Sequence, residues 1–136
     1  MKHARLAPLL LLLALALALL LCSCASMPRM LGGSGGDVTL SLDGDQLHEV
    51  KVAAGRTLWL ELRDPSPKGY ALAGTLFDTR LLRLEGIEPR EGGRLRYQLR
   101  ALDLGQTDVM IKIRRLDQPG GAQEIFKRVA VTVEQP

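Results

Sequence analysis

The chain has 136 residues, 46% of them hydrophobic and 4% aromatic, with 18 Lys and Arg against 15 Asp and Glu. The formal charge of +3 overstates its basic character: without Lys2 and Arg5, which lie in an N-terminal signal, 16 basic residues face 15 acidic ones, a net +1. That excludes the basic field a nucleic-acid partner needs, and cysteines only at 22 and 24 exclude a disulfide framework for the rest of the chain.

Lys2, His3 and Arg5 precede an unbroken run of Leu and Ala from Leu9 to Leu21. A positive start followed by a short apolar run reads as a secretory signal. The competing reading is a transmembrane helix, but the stretch from Leu6 to Cys22 is interrupted by Pro8 and falls short of the roughly 20 residues a bilayer core requires. Leu21-Cys22-Ser23-Cys24 resembles a bacterial lipobox, with Leu at −3 and Ser at −1 relative to Cys24. Residues 1–23 are therefore expected to be a lipoprotein signal peptide and Cys24 the lipidated residue. Ordinary cleavage after Ala25 is the alternative, since Ser23 and Ala25 also fit a small-x-small site. Residues 24–36, rich in Gly and Ser in their second half, are expected to be a flexible tether. Ala25 is not acidic, so no Asp-type retention signal follows the cysteine. The expected location is the bacterial envelope, anchored by lipid to the outer membrane and facing the periplasm.

Residues 37–136 suit one domain, since about 100 residues can bury a core without disulfides. Val38, Leu40 and Leu42 alternate with polar residues before the turn Asp43-Gly44-Asp45, and Leu47 to Val52 alternates again around His48. Leu58, Leu60 and Leu62 alternate with Thr57, Trp59 and Glu61. The same period of two recurs at Leu95, Tyr97 and Leu99, at Val109, Ile111 and Ile113, and at Val129, Val131 and Val133. Such alternation puts one set of side chains on a core and the other in water. The arginines from Arg90 to Arg100 then read as a solvated strand face. Turn clusters separate the runs: Ala54 to Arg56, Asp64 to Gly69, Glu91 to Gly93, Gly105-Gln106 and Gln118 to Gly121. Short strands at this spacing predict an all-β, immunoglobulin-like sandwich of antiparallel sheets with about seven to eight strands.

Catalytic chemistry has little to stand on. After the signal the one histidine is His48, expected as an ordinary surface residue, and no His, Cys or carboxylate group has ligand spacing. Nothing around Ser34, Ser41 or Ser66 resembles a nucleophile turn. No enzyme, metal or cofactor is expected.

The loops say more. Asp64-Pro65-Ser66-Pro67-Lys68-Gly69-Tyr70 follows one strand, Glu91-Gly92-Gly93 precedes another, and Arg114-Arg115-Leu116 ends a third before a long loop. This order resembles the chagasin family of cysteine-peptidase inhibitors. The family motif Asn-Pro-Thr-Thr-Gly-Phe/Tyr maps onto Asp64, Pro65, Ser66, Gly69 and Tyr70, with one extra residue among Pro67 and Lys68. Its Gly-rich second loop maps onto Gly92 and Gly93 beside Glu91. Its Arg-Pro-Trp motif maps through Arg114 alone, because Arg115 and Leu116 stand where Pro and Trp would be.

The resemblance implies an immunoglobulin-like domain whose three loops gather at one end and wedge into the cleft of a papain-like cysteine peptidase. Inhibition would be reversible, by occlusion, with a monomeric inhibitor and no covalent bond. Pro65 and Pro67 restrict φ and lower the ordering cost of binding, Gly69 permits positive φ, and Tyr70 is expected to be buried at the loop base rather than to be a contact. The missing Trp removes an anchor of the kind in which interface energy concentrates. The alternative is therefore an immunoglobulin-like binding or envelope-structural module that has lost inhibition.

Overall fold

The computed structural model describes residues 36–136. The expected signal peptide, Cys24 and the expected tether as far as residue 35 lie outside the described residues. Eight strands run in chain order: β1 (Val38–Ser41), β2 (His48–Ala53), β3 (Thr57–Arg63), β4 (Tyr70–Leu76), β5 (Leu82–Arg90), β6 (Arg94–Ala101), β7 (Gly105–Arg115) and β8 (Glu124–Glu134), with one 3-10 turn at Ser66–Lys68. They make two four-stranded sheets, ordered β1-β3-β6-β5 and β2-β8-β7-β4. The domain is the all-β, immunoglobulin-like sandwich that the alternation predicts.

Each strand forms because its alternate residues are apolar, and those residues meet between the sheets. Leu58, Leu60 and Leu62 of β3 are fully buried while Trp59 and Glu61 between them are half-exposed. Leu99 of β6, Ile111 of β7 and Val131 of β8 complete the same layer from both sheets. Tyr97 is the largest fully buried side chain. Burial pushes its phenol pKa up, against a smaller opposing pull from the Thr75 side chain of the opposite sheet.

Three expectations need correction. The sheets are mixed rather than purely antiparallel: β1 runs parallel to β3 and β2 parallel to β8. The chain passes from β1 through β2 in the other sheet before returning as β3, and that crossover is what a parallel pair requires. His48 is not a surface residue; it is 8% exposed, because it shares the phase of Val50 and Val52. Gly105 and Gln106 do not form a turn but begin β7, the bend falling at Asp103 and Leu104. Glycine suits 105 because its φ of +149° is one that L side chains rarely adopt, and a Cβ there would press on the Leu81 side chain at 3.0 Å.

Candidate functional site

Strand directions bring four connections to one pole of the sandwich. β3 and β5 end there in one sheet, and β6 begins there, as the pairs Arg63 with Arg94 and Arg90 with Arg94 require. In the other sheet β4 begins and β7 ends at the same pole, Tyr70 pairing with Arg115.

Asp64 to Gly69 crosses the pole from one sheet to the other. Asp64 opens it by an Asx turn, its Oδ1 accepting the Ser66 N–H at 2.9 Å. Pro65 is buried and precedes the 3-10 turn of Ser66, Pro67 and Lys68, all three exposed. Gly69 ends that turn at φ +87°, donating its N–H to the Ser66 carbonyl at 3.0 Å. A side chain at that φ costs about 1–2 kcal/mol, so the glycine is what lets the 3-10 turn reverse into β4. Tyr70, the first residue of β4, is half-buried, between the burial expected and a free contact residue.

Glu91, Gly92 and Gly93 form the tight β5–β6 turn, exposed, with both glycines at positive φ. Arg114 and Arg115 are the last residues of β7, and Leu116 begins the following turn with 55% of its surface exposed. Arg115 makes a two-pronged pair with Asp117 at 3.0 and 2.9 Å. That guanidinium holds the Asp117 carboxyl below its ordinary value.

Two backbone hydrogen bonds join the three loops. The Asp64 N–H donates to the Gly93 carbonyl at 2.9 Å, and the Leu116 N–H donates to the Gly69 carbonyl at 2.9 Å. The first loop is thus bonded to the second at its start and to the third at its end. Among the described residues no group of three His, Cys, Asp or Glu lies close enough to hold a metal ion.

The fourth connection, residues 42–47 between β1 and β2, escaped the sequence reading as part of this pole. Asp43 pairs with Arg94 at 3.1 Å, and the Lys127 ammonium donates to the Gly44 carbonyl. Asp43-Gly44-Asp45 announces a turn in the sequence. Its end of the molecule follows only from the β1–β3 pairing, which no local pattern encodes.

No family model and no curated protein matches the chain. Solved structures do. The cysteine protease inhibitor EhICP2 from Entamoeba histolytica superposes with a TM-score of 0.60 at 18% identity, covering 76% of this chain and all of that one. PbICP-C, solved in complex with falcipain-2, gives 0.49 at 15% identity over 74% of this chain and all of that one. Amebosin gives 0.42 at 15% identity over 75% of this chain and all of that one. The likeness to EhICP2 is one of fold, and the fold is the one the loop order implied.

Proposed function

We propose that residues 37–136 form a reversible inhibitor of papain-like cysteine peptidases, whose three joined loops enter the active-site cleft and occlude it. The observation that carries this reading is the pair of backbone bonds, Asp64 to Gly93 and Leu116 to Gly69, that fixes the loops against one another. A contact surface ordered before binding loses little conformational freedom on association. The shared fold with EhICP2, a cysteine protease inhibitor, supports the kind of partner. Leu116, exposed at the third loop, supplies the apolar tip where the chagasin motif has Trp. Cys24 is proposed to carry the lipid that holds the domain at the envelope, outer membrane and periplasmic side. Each buried CH2 of an acyl chain contributes about 0.8 kcal/mol, so several chains make a lasting anchor.

A second reading, an immunoglobulin-like envelope module without inhibitory activity, is favoured by the third loop. Arg115 there is already paired with Asp117, and the tip is Leu rather than an aromatic.

The test is titration of papain with residues 37–136, which contain all eight strands and the whole core. Competitive inhibition is expected, weakened about tenfold or more by Leu116→Asp if that residue is an anchor. A folded domain that leaves papain and a cathepsin fully active would sink the inhibitor reading and leave the binding module.

A further inference from the structure

The strand register sets three arginines in one row. Arg63 of β3 and Arg90 of β5 both stand directly opposite Arg94 of β6. All three share the outward face with Arg96, because Leu95 and Tyr97 take the inward phase of β6. Strands lie about 4.8 Å apart, so the row sets the three Cα atoms within about 10 Å of sheet width, while the Arg94 guanidinium reaches across β3 to the Ser41 hydroxyl at 2.9 Å and Asp43 at 3.1 Å. Like charges placed opposite one another on a sheet face are destabilising, and the core gains nothing from them.

The surrounding carboxylates answer the row only in part. Asp43 meets Arg94 at 3.1 Å, and Glu88 stands 3.9 Å from Arg90. Arg63 is exposed and has no ion pair among the described residues. The Asp43 carboxyl is held below its ordinary value by the Ser41 hydroxyl first and Arg94 next, with the charge of Arg63 adding to the pull. A shallow recess of about 350 Å³ opens on the row, lined by Glu61, Pro89, Arg90, Glu91 and Arg94. Its position is specific: Arg63 leads directly into the first loop, and Arg90 and Arg94 flank the second. The residue type is specific too, because the guanidinium fork matches a carboxylate in two-pronged geometry and an ammonium does not.

We propose that the Arg63–Arg94–Arg90 row is a docking strip for carboxylates on the partner's surface, so that the peptidase this domain blocks carries an acidic rim beside its cleft. The proposal rests on the inhibitor reading for the identity of the partner and on the register for its chemistry. Charges at the rim of an interface chiefly speed association. The strip therefore acts as a guide for the wedge, bringing the first two loops to the cleft from the acidic side.

Two measurements test it, with Arg63→Glu/Arg90→Glu as the variant. That change places carboxylates opposite Arg94, so the fold is expected to be at least as stable. The first is binding of poly-glutamate to residues 37–136, read by the fluorescence of Trp59, whose ring lies 5.2 Å from the Arg96 guanidinium on the same face. The second is the association rate with papain whose lysines have been succinylated, against unmodified papain. It is followed between about 0.02 and 0.5 M salt, where the screening length falls from about 20 to about 4 Å. Wild-type protein is expected to bind poly-glutamate and to associate with succinylated papain about tenfold faster or more at low salt. The variant should lose both gains while its dissociation rate holds, and Lys51→Glu on the other sheet should keep both.

Failure to bind poly-glutamate, or equal binding by the variant, overturns the strip whatever papain does. Poly-glutamate binding without inhibition of either papain sinks the inhibitor reading, and with it the peptidase as the strip's partner.

Discussion

His48 enters the edge of the core with its Nε2 buried and without a hydrogen-bond partner among the described residues. A buried polar atom left unpaired costs about 1–3 kcal/mol, so the imidazole is a liability that its neighbours in β2, Val50 and Val52, do not share. Leucine has a similar bulk and no polar atom. His48→Leu is expected to raise stability by about 1 kcal/mol, read as a higher urea midpoint with an unchanged slope. A lower midpoint would mean that the ring nitrogen has a partner that leucine cannot replace, such as an ordered water. The residue also shows how phase outranks type: a polar side chain read as surface was carried inward by the alternation that identified its strand.

At the scale of the strand, the sequence discloses faces and conceals partners. Alternation revealed β3, β6, β7 and β8 because their apolar runs are unbroken; the bulge in β8, where Phe126 is extra, falls before the run of Val129, Val131 and Val133. β4 and β5 were hidden by β-bulges, in which an extra residue interrupts the period. In β4 the pairing jumps from Leu72 with Ile113 to Gly74 with Lys112, leaving Ala73 extra; in β5 it jumps from Leu84 with Leu99 to Gly86 with Gln98, leaving Glu85 extra. The parallel pairing of β1 with β3 and of β2 with β8 was equally invisible, because direction is set by which sheet the chain crosses into. The loop residues of the candidate site were legible as Gly and Pro turns in a familiar order. Their bonds to one another were not, since Asp64 and Gly93 are joined only once β3 and β6 have paired. The bulge makes a test of this account. Removing Ala73 leaves Leu72 inward, Gly74 outward and Thr75 inward, a regular ladder, so the deletion is expected to preserve cooperative unfolding. Deleting Gln98 from β6 has no bulge to absorb it and turns half of that strand inside out. That protein is expected to show no folded baseline by circular dichroism. Equal loss of structure in both would show that the bulge itself is required.

For the whole molecule, the two poles are unlike. Asp37, where the chain enters, accepts the N–H of Thr57 on its Oδ1 at the start of β3, and Glu134 at the end of β8 accepts the Ala54 N–H. Both ends of the domain therefore lie at the pole opposite the three loops. The eight residues of β6 span the distance between poles, about 27 Å at 3.4 Å per residue. Under the proposed lipid attachment ahead of Asp37, the described domain is entered at the pole opposite its three loops, which leaves the proposed wedge open to a soluble peptidase. This arrangement predicts which additions the protein tolerates. A folded partner fused ahead of Asp37, or after Pro136, is expected to leave papain inhibition within about twofold of the free domain. The same partner inserted between Gly92 and Gly93 should abolish inhibition, while the urea midpoint shows the sandwich intact. On vesicles, protein lipidated at Cys24 should titrate papain mole for mole with the soluble domain, and Cys24→Ser should stay in solution. Loss of inhibition on the vesicle, with the soluble domain still active, would mean that the loop pole faces the membrane and that the separation of the two ends is not used.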